Sequence, residues 1–304
     1  MFRLSQYSTL LALSTRALAL PSLVTRVATR ISDSQLASYA PFTQFARAAY
    51  CPSSKISPWN CGEACSSSEN KDFQTKLVGG DGNAIQLYYV GYWPTQNAVV
   101  VAHQGTDPYK LSADLTDFRF FWKNLNSTLF PGVPSDVFVH GGFAEEHVKT
   151  ATTILDTVKA LLSSSNASTV ISIGHSLGAA LAELDAIFFT LNLPGVYVKS
   201  VTYGTPRVGN DKWAGLFDAR VPDFVRINNM KDPVPTLPYE FLGFHHPHGE
   251  IHLAGPGEAY SCPGDDDATD SECTISQVLT PLQWNVDDHN GPYEGISIGT
   301  AWCN

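Results

Sequence analysis

Two hydrophobic periods alternate along most of the chain. Apolar residues recur at helical spacing from about Ser32 to Ala49, and the cysteine-rich stretch 51–69 behind them has no period. Runs rich in β-branched and aromatic residues then predict strands at Ile85–Tyr92, Ala98–His103, Thr169–Ile173 and Ser200–Tyr203, with Phe224–Ile227 last. Helical spacing returns between the later strands, at about Ala144–Leu162 and Gly178–Leu191. Strands alternating with helices predict an α/β fold with a mostly parallel central sheet and helices on both faces. Residues 32–304 contain no internal repeat and no linker, so one domain is the simpler account.

The first residues modify this picture. A basic start, an apolar stretch and small residues at Ala17 and Ala19 read as a signal peptide over residues 1–19, with room for a short propeptide to about Arg30. No later stretch offers eighteen consecutive apolar residues, so no transmembrane anchor is expected and the mature chain is expected outside the cell. Sequons at Asn126 and Asn166 suit that compartment as glycosylation sites. So do the six cysteines, which suggest three disulfides. Fifteen connectivities exist; sequence proximity favours Cys61 with Cys65 and Cys262 with Cys273, leaving Cys51 with Cys303 as a clasp. The cysteines do not form paired Cys-x-x-Cys units, and no metal is expected. The formal charge of −10 becomes about −12 once Arg3 and Arg16 leave with the leader. With no Lys/Arg-rich segment, nucleic acid is an unsuitable partner. The acidic stretch from Asp265 to Glu272, between Cys262 and Cys273, is expected to be a solvated loop rather than a calcium site.

The candidate chemistry centres on Gly174-His175-Ser176-Leu177-Gly178, which stands between a predicted strand and a predicted helix. A tight strand-to-helix turn leaves no room for side chains at its two glycines and lifts the Ser176 hydroxyl clear of the sheet. A glycine-rich turn that merely contains serine explains neither the strand before nor the helix after. Serine needs a base to take its proton, and the base needs a third group to orient it. Asp232 follows the last predicted strand on a proline-rich loop and is the candidate acid. Five histidines lie beyond it, His245, His246, His248, His252 and His289, and spacing does not choose among them. The first four form a cluster that matches no zinc-hydrolase pattern; surface histidines are the plain alternative. A tetrahedral oxyanion needs fixed donors: one is the Leu177 amide, and the end of the Ala98–His103 strand, in Gly105-Thr106, has the right chemistry for the second.

Together these motifs resemble the fungal class 3 lipase family, the filamentous-fungal triacylglycerol lipases and their feruloyl esterase relatives. The resemblance rests on Gly105-Thr106, Val139-His140-Gly141-Gly142-Phe143, the Ser176 turn, Tyr203-Gly204-Thr205-Pro206-Arg207-Val208-Gly209-Asn210 and Asp232-Pro233-Val234-Pro235, in that order along the chain. It implies an α/β-hydrolase fold with a lid and a catalytic triad of Ser176, Asp232 and His289. It also implies an oxyanion hole at Thr106 and Leu177, and it supports the disulfide pairing above. The lid would lie at about Asp107–Leu125, with Leu111, Leu115 and Phe118 facing the site or a lipid–water interface and Phe120-Phe121-Trp122 as candidate core. His103-Gln104 departs from the family, many of whose members carry an aromatic residue and an arginine there. The expected activity is that of a secreted serine carboxylic-ester hydrolase, foremost a lipase acting on acylglycerols without cofactor. A feruloyl or aryl esterase is the alternative, and a non-catalytic secreted binding protein the more distant one.

Overall fold

The computed structural model describes residues 27–106, 120–266 and 270–303. The signal peptide at 1–19 and the lid residues Leu111, Leu115 and Phe118 lie outside these described residues.

Among the described residues, thirteen strands run β1 Thr29–Arg30, β2 Gln74–Gly79, β3 Tyr88–Trp93, β4 Ala98–His103, β5 Trp122–Asn124, β6 Phe138–His140, β7 Thr169–His175, β8 Tyr197–Tyr203, β9 Gly209–Asn210, β10 Asp223–Asn229, β11 Phe244–His245, β12 Glu250–Gly255 and β13 Glu258–Ser261. Nine of them form one sheet in the order β1-β13-β12-β10-β8-β7-β4-β3-β2. Its centre, from β12 through β10, β8 and β7 to β4, is parallel, and both margins are antiparallel. Period-two alternation splits the apolar side chains of these strands between two cores. Val100, Ala102, Ile171, Ile173 and Ile227 pack on the side covered by the helix Ala40–Ala48. Val99, Val101, Val170 and Val198 pack on the opposite side, against the helices Gly141–Ser165, Leu177–Asn192 and Asp211–Arg220. Helices therefore cover both faces, and the strand runs expected at 98–103, 169–173, 200–203 and 224–227 supply the parallel centre.

Several expectations are corrected. The helical stretch 32–49 is two helices, Asp33–Ala37 and Ala40–Ala48, because Pro41 cannot continue a preceding turn and instead opens a new one. The strand expected at Ile85–Tyr92 starts only at Tyr88. The sheet does not end at Phe224–Ile227: β12 and β13 extend it, and the second sheet, β11-β9-β6-β5, went unforeseen. Phe120, Phe121 and Trp122 are not core but roughly 40% exposed, and Trp122 belongs to β5 rather than to a lid. It stacks on Phe244 at 3.9 Å between centroids.

Disulfides join Cys51 to Cys303, Cys61 to Cys65 and Cys262 to Cys273. The acidic loop inside the last of these is more than a solvated surface. The Asp266 side chain is buried and accepts from the Arg207 guanidinium at 3.0 Å and from the amide of His246, also at 3.0 Å. Arg226, itself paired with Glu250 at 2.9 Å, donates to the carbonyl of Asp265. Burial alone would raise the Asp266 carboxyl, but His246, Arg207 and Arg226 outweigh it and hold it down at about 2. An acid so depressed stabilises the fold above its unfolded pKa near 4, by about 2 kcal/mol, and that contribution disappears as pH falls toward 2. Thermal melts from neutral pH to about pH 2 should show this acid limb. Asp266→Asn should flatten it while lowering the melting temperature at pH 7, since the Arg207 charge is then left buried.

Candidate active site

The candidate groups gather at the carboxyl ends of the parallel strands, where open α/β sheets form their crevices. Ser176 follows β7, Asp232 follows β10 and Thr106 follows β4 by three residues. Ser176 has φ 60° and ψ −131°, a backbone conformation that a side chain rarely adopts, and it is 3% exposed. The surrounding glycines enforce it. A Cβ on Gly174 would stand 2.0 Å from the carbonyl oxygen of Gly178, and one on Gly178 would stand 2.3 Å from that of His103. A Cβ on Gly105 would meet the Ser176 Cβ at 2.7 Å, so the Gly105-Thr106 turn lies directly against the serine. Leu177 opens the helix Leu177–Asn192, and its amide has no carbonyl one turn back to bond. Aligned peptide dipoles make that helix end favourable to negative charge.

Asp232 is fully buried and accepts two hydrogen bonds, on Oδ1 from the amide of Val234 at 2.9 Å and on Oδ2 from His289 Nδ1 at 2.8 Å. A carboxylate only accepts, so Nδ1 carries the proton and Nε2 presents a lone pair. That Nε2 is buried and without a protein partner. A base needs such a lone pair, and in resting enzymes the bond from serine to base is commonly long until substrate closes it. Of the five histidine candidates, His289 alone reaches Asp232. His246 and His252 prove to be buried rather than on the surface, with His246 Nε2 on the carbonyl of Pro235 and both His252 nitrogens facing carbonyls of Glu272 and Met230. His248 pairs with Asp218, which raises its pKa against the opposing effect of burial.

Residues that sequence patterns did not single out hold this pair in place. The His289 carbonyl accepts from His175 Nε2 at 2.7 Å and from the Tyr293 hydroxyl at 2.9 Å. Because a carbonyl only accepts, His175 must be protonated on Nε2, which leaves its Nδ1 to accept from the Tyr50 hydroxyl at 2.6 Å. Burial first, and the neighbouring His289 second, push the His175 pKa far down, so this imidazole is neutral. Asp288 ties the two loops together: its carboxylate accepts from the amide of Lys231 and from the Asn285 side chain, and its carbonyl accepts from Asn229. Gly204, at φ +51°, lets the chain pass within 2.8 Å of both Asp232 and His289, measured from where a Cβ would be. The signal for it was Tyr203-Gly204-Thr205-Pro206, a glycine directly after a strand. The two sequon asparagines, Asn126 and Asn166, are both exposed.

An α/β-hydrolase fold accounts for this placement, and known proteins narrow the class. Lipase (class 3) matches residues 100–242. A secreted mono- and diacylglycerol lipase of Malassezia globosa is 31% identical over 246 residues, covering 78% of each chain. One of Fusarium solani is 28% identical over 263 residues, covering 85% of this chain and 74% of its own. The chain belongs to the class 3 lipase family. Solved lipases share its fold: that of Rhizopus microsporus var. chinensis superposes with a TM-score of 0.78 at 21% identity, covering 96% of this chain and 99% of its own. Lipase II of Rhizopus niveus gives 0.77 at 22%, covering 90% and 99%.

Proposed function

We propose that the protein is a secreted acylglycerol lipase that works through an acyl-enzyme on Ser176, with mono- and diacylglycerols as its main substrates. The observation that carries this is the free, buried Nε2 of a histidine whose Nδ1 is fixed by Asp232 and whose ring lies 4.4 Å from that of His175, the residue before a serine held at positive φ. In this mechanism His289 Nε2 takes the Ser176 proton as Oγ attacks the ester carbonyl. Amides of Thr106 and Leu177 bind the oxyanion, and the His289 proton passes to the departing glyceride alcohol. Water, deprotonated by the same nitrogen, then releases the fatty acid and restores Ser176. No metal or cofactor enters any step. The substrate preference follows the two relatives above. Among the described residues no helix is long and apolar enough to cross a membrane.

Hydrolysis of matched mono-, di- and triolein and of methyl ferulate, with fluorophosphonate labelling of Ser176, tests this proposal. Activity on ferulate alone would replace the lipase by an aryl esterase, and a chain that is folded but neither labelled nor active would leave only binding.

An apolar surface beside the site suits a lipid–water interface. Phe241 (81% exposed), Leu279 (65%) and Leu282 (98%) project from two neighbouring segments, 239–242 and 279–284, with a cleft of about 230 Å³ between them. Monomeric proteins seldom leave so many large apolar side chains together in water. The second segment leads directly into His289. Phe241→Asp with Leu282→Asp should cut the rate on an olein emulsion by roughly tenfold, as about 1.4 kcal/mol from partial insertion of these two exposed side chains into the lipid implies, and leave hydrolysis of dissolved p-nitrophenyl butyrate unchanged. Equal loss on both substrates would place these residues in the site rather than at the interface.

A further inference from the structure

Asp185 lies in the helix Leu177–Asn192, fully buried, and its two oxygens serve two different imidazoles. Oδ2 faces His103 Nε2 at 2.7 Å and Oδ1 faces His147 Nε2 at 3.0 Å. Three elements meet here: the end of β4, the helix that begins at Ser176, and the helix Gly141–Ser165. We propose that His103, Asp185 and His147 form a positioning bridge that fixes the β4 end, and with it the Gly105-Thr106 turn, against the nucleophile helix. This rests on the reading of Ser176 as nucleophile and of Thr106 and Leu177 as oxyanion donors.

The bridge is hard to explain as a stabilising device. His103 alternates with Val99 and Val101 on one face of β4, and that face packs into an apolar core. Phe130 and Phe188 hold the His147 ring, each at 5.4 Å between centroids, and the Tyr88 ring stands 6.1 Å from His103. Three apolar side chains would fill the same space without desolvating a carboxylate, and such replacements are often neutral or stabilising. Burial by itself raises the Asp185 pKa, yet the two imidazoles overcome that and hold the group ionised. The His147 Nδ1 stays buried with no partner, a further desolvation cost.

Hydrogen bonds offer direction instead, which apolar packing does not. Two fasteners act on the end of β4. Its backbone is pressed on Gly178, where a Cβ would stand 2.3 Å from the His103 carbonyl oxygen, and its last side chain is bonded to Asp185 about two turns further along the same helix. Rotation or sliding of the strand end would break one or the other. Thr106 follows three residues later, so the same restraint sets the spacing between its amide and that of Leu177. Oxyanion donors act only when fixed at the right separation before charge develops.

The test compares the triple variant His103→Phe, Asp185→Leu, His147→Leu with wild type, using dissolved p-nitrophenyl butyrate as substrate and butylboronic acid as a tetrahedral mimic. The expected result is a melting temperature at or above that of wild type and a kcat lower by about 10- to 100-fold at unchanged KM, with boronate affinity falling by the same factor. Asp185→Asn keeps both hydrogen bonds once His147 shifts its proton to Nδ1, and should stay within about threefold of wild type. If the triple variant does not fold, His103→Phe alone replaces it, with parallel losses in kcat and boronate affinity expected. A folded variant that lacks the bridge yet keeps wild-type kcat and boronate affinity overturns the proposal. A wild-type protein that neither turns over ester nor labels at Ser176 overturns instead the reading on which it rests.

Discussion

Asp232→Asn is expected to lower kcat by about 10⁴-fold with little change in fold, and Ser176→Ala by on the order of 10⁶-fold. The first effect follows from how Asp232 is held. Its Oδ1 accepts from the Val234 amide at 2.9 Å while Oδ2 accepts from the protonated His289 Nδ1. In an asparagine the carbonyl oxygen must stay with the Val234 amide, because the side-chain NH2 has nothing to accept with. The NH2 is thereby turned toward His289, whose Nδ1 must then accept. The imidazole proton moves to Nε2, and the lone pair that should receive the Ser176 proton is lost. Kinetics on p-nitrophenyl butyrate, with a thermal melt to show that both variants fold, decide the matter. An Asp232→Asn enzyme with a tenth or more of wild-type kcat would rule out this placement of the base.

The same residues explain what a linear reading could and could not find. β4 and β7 were legible because the parallel centre is buried on both faces, leaving near-continuous apolar runs, and β10 shows a shorter one, Phe224–Ile227, broken by Arg226. β12 lies beside them but reads Glu250-Ile251-His252-Leu253-Ala254-Gly255, with a glutamate and a histidine among its buried positions. Arg226 neutralises the first and main-chain carbonyls bond the second, partners distant in sequence that no local pattern displays. Strands β5, β6, β9 and β11 have only two or three residues each, too few for a period to register.

The serine turn was visible because its requirement is local: strand, glycine, serine, glycine and helix are consecutive. The histidine was not. His289 reaches Asp232 only because Asp288 bonds the Lys231 amide and Asn229 bonds the Asp288 carbonyl, contacts made across more than fifty residues. Among five histidines only the resemblance to a family pointed to that one. The roles of His175, Tyr50 and Tyr293 escaped notice for a related reason: His175 and Tyr293 act on the backbone of His289 and Tyr50 acts through His175, contacts between residues far apart in the sequence.

Gly204→Ala should lower kcat/KM by about 100-fold, the usual consequence of moving a reacting group by an ångström. Two effects act at this position, and they can be separated. At φ +51° any side chain is strained, at about 1 kcal/mol. In addition, the new methyl would stand 2.7 Å from His289 Cε1 and 2.8 Å from Asp232 Oδ2. Neither neighbour yields easily, because the Val234 amide anchors the carboxylate and His175 with Tyr293 anchors the His289 carbonyl. The imidazole ring is the part free to tilt, and tilting carries Nε2 away from Ser176. Gly195 supplies the control: it has φ +82° with nothing within 4 Å of its would-be Cβ, so Gly195→Ala bears backbone strain without the clash. Both variants should lose a few degrees of melting temperature, while only Gly204→Ala loses activity and reacts more slowly with fluorophosphonate. Matching activities in the two variants would mean that the close approach of Gly204 to His289 and Asp232 has no part in catalysis.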